Sequence, residues 1–279
     1  MNKTTTKTKT DWGSVAEKYD KYLNSESNYH NEVILPNFLR ILGDVSGKRV
    51  LDIACGQGFF CEAVIKSALE NKVTGSKKVE VFGFDLGTDL IKIAQQNAGK
   101  NKSNINYKVL DAEDFAKEYV GDDKNENKFD IIFCVLALQN IENLKKVIEN
   151  AKNVLSPKGK MIFVINHPAY RIPKSTAWGN VTEVGAKEVQ YRRVDKYMSE
   201  DKIKMDMTPA EKRESFKKYT YSYHRPLQTY FKVFANLGLS VTKLEEWISN
   251  KESVGKNSDR ENTARKEFPM FMCLEVKSV

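Results

Sequence analysis

Three aspartates, Asp52, Asp85 and Asp111, each stand at or near the end of a short apolar run. The first lies in VLDIACGQGFF, where Gly56 and Gly58 come two apart just ahead of a helical pattern. Glycines in such a turn let the backbone approach a ligand because no Cβ blocks the way. The turn also feeds a helix N-terminus, whose free N–H groups favour an anionic or polar ligand group. A nucleotide-like ligand is therefore expected. The third glycine of GxGxxG is absent, its place being taken by Cys61, and the turn holds no GxxxxGK[ST]. Both absences disfavour a dinucleotide pyrophosphate or the phosphates of ATP. Asp85, in FGFDLG, is placed to accept hydrogen bonds from both ribose hydroxyls, for which a carboxylate has two oxygens. Asp111, in LDAED, is placed to accept one from the exocyclic amine of adenine. Each acid alone would equally serve as a helix N-cap. Three of them at successive strand ends describe adenosine without phosphates.

Proton transfer points to different residues. The chain has three histidines, and histidine is the side chain whose ordinary pKa suits a base near neutral pH. His167, in VINHPAYR, follows directly on an apolar run, and Tyr170 stands three residues on. His224, in YSYHRPLQTY, opens a helical pattern. These three are the candidate catalytic residues; as structural residues the two histidines would instead hydrogen-bond a loop or cap a helix. Between the two histidines the chain is rich in aromatics and arginines, among them Arg171, Trp178, Tyr191, Arg192, Arg193, Tyr197, Tyr219, Tyr221 and Tyr223. Such a segment suits a lid or pocket wall for a flat or anionic molecule, or equally a dimer surface.

The elements that would carry these residues follow from periodicity. KRVLDIA, VEVFGFD, INYKVLDA, FDIIFCVLA and GKMIFVIN read as buried strands, alternating with helices GFFCEAVIKSAL, TDLIKIAQQNAG and NLKKVIENAKNVL. That alternation predicts parallel strands joined by right-handed crossovers, an α/β doubly wound sheet. DWGSVAEKYDKYL and NEVILPNFLRIL predict two short helices ahead of the first strand. Over 167–222 the rhythm breaks into a polar, aromatic insert without a βα signature. It resumes with the helix RPLQTYFKVFANLG, a strand near LSVTKLEEW, a loop, and the strand MFMCLEVKS. The expected division is a disordered basic tail over 1–10 and one domain over 11–279: cap helices 11–44, core 45–166, insert 167–222 and the rest of the sheet 223–279.

With 279 residues, 41% of them hydrophobic, the chain can bury one substantial core. Four cysteines without CxxC pairing or clustered histidines give no disulfide framework and no zinc site, so reduced core thiols and no metal are expected. No run is long enough to span a bilayer and the N-terminus lacks an apolar signal region, so a soluble cytoplasmic protein is the default expectation. The net charge of +8 is unevenly spread: three lysines without an acid in residues 1–10, and thirteen Lys and Arg against eight Asp and Glu over 166–225. A basic tail and insert on a near-neutral body suit an anionic substrate or nucleic acid, or simply a solvated surface.

Taken together, VLDIACGQGFF, VFGFDLGTDLIKIA, INYKVLDAEDF and FDIIFCVLALQNIEN resemble the successive cofactor motifs of class I S-adenosylmethionine-dependent methyltransferases. The resemblance covers about residues 11–165 and implies a Rossmann-like sheet of seven mostly parallel strands. It implies S-adenosylmethionine as cofactor and S-adenosylhomocysteine as product. Asp52 and the turn Ala54, Cys55, Gly56 and Gly58 would hold the methionine moiety. Asp85 would bind the ribose with Leu86 beside the adenine, Asp111 and Ala112 would meet the ring, and Cys134, Val135 and Leu136 would line the cofactor. Ala54 departs from the pattern, standing where the family usually has its first glycine. The helix with Tyr19 and the stretch YHNEVILP with His30 resemble the N-terminal cap that closes over the cofactor in small-molecule members. HRPL also resembles a segment of small-molecule methyltransferases, and VLALQNI the corresponding run of quinone-pathway C-methyltransferases. The leading expectation is a methyltransferase for a small-molecule acceptor, aromatic or anionic, acting as a monomer or homodimer. An RNA methyltransferase is the alternative, although the [ND]PP[YFW] and Pro-Cys motifs of nucleic-acid enzymes are missing after the fourth strand. A non-catalytic S-adenosylmethionine-binding protein is a third reading, since fold alone does not establish activity.

Overall fold

The computed structural model describes residues 28–70, 77–120, 128–182 and 188–279. The basic tail and the first expected cap helix, with Tyr19, lie outside the described residues. Seven strands form the main sheet: β1 (Arg49–Ile53), β2 (Glu80–Asp85), β3 (Ile105–Val109), β4 (Phe129–Val135), β5 (Leu155–Asn166), β10 (Leu239–Trp247) and β11 (Phe271–Ser278). Their spatial order is β10-β11-β5-β4-β1-β2-β3. The five strands from β1 to β5 pair in parallel. β11 lies antiparallel to both β5 and β10. The chain leaves β1 towards β2 and β3, then returns to place β4 on β1's other side. That reversal leaves a crevice between β1 and β4 at the carboxyl ends, where helices on either face diverge.

Two apolar layers hold the sheet. On one face Leu51, Ile53, Phe84, Phe115, Phe129, Ile132 and Phe163 pack with α5 (Leu144–Val154) and α6 (Leu227–Asn236). On the other, Val50, Val81, Ile131, Phe133 and Val164 pack with α1 (Leu35–Leu42), α2 (Phe59–Glu70) and α3 (Thr88–Asn101). Each fully buried phenylalanine is worth roughly 2 to 3 kcal/mol of transfer free energy. The helix boundaries follow local chemistry. Asn143 caps α5 by accepting from the Lys146 N–H at 3.1 Å. α1 has a proline in its first turn and closes at Gly43, φ +70°. One π-helical turn (His30–Ile34) leads into α1. Arg40 of α1 pairs with Glu245 of β10, and Lys160 of β5 donates to the Ile41 carbonyl at 2.7 Å and to Glu275 at 3.2 Å. These contacts seat the cap on the sheet. Among the described residues no helix is long and apolar enough to cross a membrane.

The insert contains two β-hairpins. β6 (Thr176–Thr182) pairs with β7 (Glu188–Val194), and β8 (Asp201–Asp206) with β9 (Tyr219–His224), both antiparallel. β9 runs past residue 222 and leads, through Arg225 and Pro226, into α6. A short helix, α4 (Ala116–Tyr119), follows β3. The loop expected before the final strand carries a further helix, α7 (Ser258–Glu267), which buries only Ala264 and so has no apolar stripe to betray it. Trp178 and Tyr170 both pack edge-on against Phe268, and Arg192 lies 5.0 Å from the Trp178 ring centroid while donating to the Tyr170 carbonyl. The first hairpin is therefore anchored beside α7.

Candidate active site

A cavity opens at the carboxyl ends of β1 to β4, at the topological reversal. Its walls are the carboxyl ends of these strands and the segments that leave them: Asp52, Ala54, Cys55, Gly56 and Gln57 from β1 onward, Asp85 and Leu86 from β2, Leu110 to Glu113 after β3, and Val135 to Ala137 from β4. Phe59, Phe60, Phe84 and Leu90 supply apolar surface, and Asn140, Ile141, Glu142 and Tyr223 complete the rim. Ten residues expected at a cofactor line this one space: Asp52, Ala54, Cys55, Gly56, Asp85, Leu86, Asp111, Ala112, Val135 and Leu136.

The glycine turn is built around Asp85. Its Oδ2 accepts the Gly56 N–H at 3.0 Å and its Oδ1 the Gly87 N–H at 2.7 Å. Each oxygen keeps a further lone-pair direction for a ligand hydroxyl. Burial raises the Asp85 pKa, and the amides of Gly87, Gly56 and Leu86 counter that rise. Ala54, Gly56 and Gly58 all have positive φ, at +56°, +56° and +83°. Among the described residues no atom lies within 4 Å of where a Cβ on Gly56 would stand, so none of them fills the space over this glycine. Gly58 serves the packing instead. A Cβ there would lie 2.1 Å from the Tyr107 hydroxyl, so the glycine admits that ring rather than a ligand. Asp52 is 2% exposed and accepts the Cys61 thiol at 3.3 Å; burial drives its pKa well up. Burial likewise pushes the Cys55 thiol up to about 11, which leaves it uncharged at neutral pH. Asp111 accepts the Glu113 N–H at 3.0 Å. Gln57, also on the wall, has a buried amide oxygen with no hydrogen-bond donor among the described residues. An unmet buried acceptor costs roughly 1 to 3 kcal/mol, which a ligand donor would recover.

Three expected residues stand elsewhere. Cys134 is fully buried in the core on β4 and does not line the cavity, because alternation along the strand turns it inward to the α5 face. Gly58 lies behind the wall, against Tyr107. His30 is set back behind Phe59 and Phe60, its ring 6.4 Å from each. Tyr19 is outside the described residues.

None of the three candidate catalytic residues lines the cavity. His167 is 6% exposed, and its Nδ1 accepts the Ala169 and Tyr170 N–H groups at 3.2 and 3.3 Å. Its Nε2–H then donates to Glu246 at 2.6 Å, so neither nitrogen is left to take a substrate proton. The ring stacks on Tyr170 at 4.7 Å, fixing both as a loop brace. Burial lowers the His167 pKa despite Glu246. His224 donates through Nε2 to the Tyr197 carbonyl at 2.8 Å, holding the insert to the start of α6. The residues that do reach the rim from this region are its neighbours. Tyr223 lines the cavity, and the Arg225 guanidinium reaches the carbonyls of the segment after β4. A sequence signal for them exists in YHRPL, since an arginine beside a proline-led helix start and an alternating YTYSYH run mark a strand ending at a loop it can bind.

A family model described as a methyltransferase domain matches residues 44–215. Over 124 residues the chain is 36% identical to the ubiquinone biosynthesis O-methyltransferase of Glaesserella parasuis serovar 5, an alignment covering 44% of this chain and 48% of that protein. The chain thus spans about half the length of the curated relatives it matches. Among solved structures, an S-adenosylmethionine dependent methyltransferase from Mesorhizobium loti superposes over 87% of this chain and 95% of its own, with a TM-score of 0.58 and 21% identity. One from Clostridium acetobutylicum covers 96% and 98%, with a TM-score of 0.56 and 19% identity. At these identities the likeness is one of fold.

Proposed function

The chain belongs to the methyltransferase-domain family, and from that premise we propose that it transfers a methyl group from S-adenosylmethionine to a hydroxyl of a small-molecule acceptor. The observation that carries the cofactor reading is the gathering of Asp85, Asp111, Gly56 and the apolar Leu86 and Ala112 on one cavity at the reversal of strand order. The space that the described residues leave over Gly56, and the Gln57 amide oxygen that none of them meets, both fit a polar ligand with a donor group. Asp85 would take the ribose hydroxyls, Asp111 the adenine amine, and the turn from Ala54 to Gln57 the amino-acid end. Bound there, the cofactor supplies an electrophilic methyl on sulfonium. The chain's own part is to align the acceptor in line with that methyl and to exclude water, which Phe59, Leu136, Ile141 and Tyr223 are placed to do. Oxygen is favoured as the accepting atom because the curated relatives are O-methyltransferases by name.

The first experiment is calorimetric titration with S-adenosylmethionine and S-adenosylhomocysteine, comparing the native chain with Asp85→Ala. Native binding is expected in the micromolar range, weakened roughly tenfold or more by the substitution, about 1.4 kcal/mol. A panel of hydroxylated aromatic acids then tests the acceptor. No cofactor binding by a folded native chain overturns the reading. Binding without turnover of any acceptor leaves a cofactor-binding protein that is not an enzyme for this class.

A further inference from the structure

The wall after β4 supplies Leu136, Ala137, Asn140, Ile141 and Glu142 to the cavity, yet between β4 and α5 it holds only a single 3-10 turn (Leu138–Asn140). Within it Gln139 and Asn140 donate to the Leu136 carbonyl at 2.7 and 3.3 Å, and the carbonyls further along need something outside the segment to supply partners. Arg225 does so. Its Nη2 donates to the carbonyls of Glu142 at 2.6 Å and Ile141 at 2.8 Å, and its Nη1 to that of Leu138 at 3.4 Å. The residue is 6% exposed, and its guanidinium carbon lies 5.3 Å from the centroid of the Tyr223 ring on the cavity rim. A planar fork can serve several carbonyls at fixed angles; a lysine ammonium is a point donor on a flexible stem. A second cation meets the same segment from the other hairpin strand. Lys202, directly opposite Tyr223 in the β8–β9 register, pairs with Glu142 at 3.6 Å.

We propose that Arg225 is a positioning residue of the methyl-transfer site. It fixes the Leu138–Glu142 wall at the spacing a bound cofactor requires and couples that wall to the hairpin whose Tyr223 faces the cavity. The proposal rests on the cofactor reading above. Arg225 touches no reacting atom, so its removal acts through the wall: affinity falls because the wall's geometry must be restored at each binding event.

The test compares Arg225→Met and Arg225→Lys with a control, Lys152→Met. Lys152 also ties α6 by a cation-to-carbonyl bond, at Leu237, but away from the cavity. S-adenosylhomocysteine affinity is measured by calorimetry, thermal unfolding of the ligand-free proteins by circular dichroism, and amide exchange over 136–143 by mass spectrometry. Arg225→Met is expected to weaken binding tenfold or more and to speed exchange in that segment. Arg225→Lys should recover part of the affinity, and Lys152→Met should lower the melting temperature while leaving the affinity as it was. A folded Arg225→Met that binds within twofold of the native chain overturns the proposal, as does an equal loss of affinity in Lys152→Met. If Arg225→Met does not fold, Arg225→Lys decides by the same twofold criterion. A native chain that fails to bind overturns the cofactor reading and this proposal with it, whereas native binding with an unaffected Arg225 variant overturns this proposal alone.

Discussion

At the scale of single residues, two side chains of the cavity wall sit in backbone conformations that favour glycine. Ala54 has φ +56° and Leu136 φ +54°, and they leave β1 and β4, the two strands that flank the reversal. A non-glycine residue in the left-handed region costs roughly 1 to 2 kcal/mol, because its Cβ crowds the following carbonyl oxygen. Strain of this kind gathers where surrounding structure holds a ligand wall in place. Ala54→Gly relieves that crowding, and the extra freedom of glycine in the unfolded chain returns part of the gain. The net expectation is a stabilisation of about 0.5 to 1 kcal/mol, seen as a higher urea midpoint with an unchanged slope. A lower midpoint would mean that the alanine methyl makes contacts worth more than its strain. The turn in this chain therefore departs from a glycine at some cost in stability, and the left-handed backbone survives the departure.

Among the elements, the β1 turn, β3 and α2 depend on one another through Gly58. Tyr107 on β3 reaches under the turn, and a Cβ on Gly58 would meet its hydroxyl at 2.1 Å and its ring carbon Cζ at 2.7 Å. The φ of +83° adds backbone strain. Gly58→Ala is expected to destabilise by about 2 to 4 kcal/mol, combining overpacking with the left-handed penalty. Adding Tyr107→Phe should recover part of that loss, because the nearest atom is then gone; equilibrium denaturation of the two variants and their double checks this. The glycine is legible in the sequence as a turn residue, but a sequence does not say which side of a turn needs the space, and here it is the packing side rather than the ligand side. The same limit explains other differences. The core alternation is legible because buried parallel strands such as FDIIFCV are nearly continuous apolar runs, while the hairpin strands lack such runs: β6 to β8 are polar or charged and largely exposed or half-buried, and β9 alternates tyrosines with hydroxyl residues. The three acids stand out in the sequence because each lies at or near the end of an apolar run, and all three line the cavity. That His167 and His224 stand off the cavity is not legible, because the partners that hold them, Glu246 and the Tyr197 carbonyl, lie 79 and 27 residues away in the chain.

At the scale of the whole molecule, the N-terminal cap meets the sheet where the cavity begins, and His30 marks that junction. Its ring is 7% exposed and sits against Phe59 and Phe60, the first residues of α2. Burial, aided by the nearby Arg171 charge, lowers its pKa from 6.5 to about 4. The folded chain therefore holds fewer protons at this site than the unfolded chain between about pH 4 and 6.5. Stability that is fully present above pH 6.5 is lost as the pH falls through that window, by about 2 to 3 kcal/mol at pH 4.5. Asp52 and Asp85 oppose this: burial raises their pKa, so protonation on acidification favours the fold. The raw pH profile mixes the two trends, and comparison with His30→Phe separates them. Between pH 7 and pH 4.5 the native chain should lose about 2 to 3 kcal/mol more than the variant in urea titrations. Equal losses would mean that His30 can charge without leaving its place, and the cap would then be open enough at this junction to admit water. The predicted difference instead makes the cap's seat on Phe59 and Phe60 dry, which is the condition a sulfonium displacement needs at the floor of the cavity those two rings line.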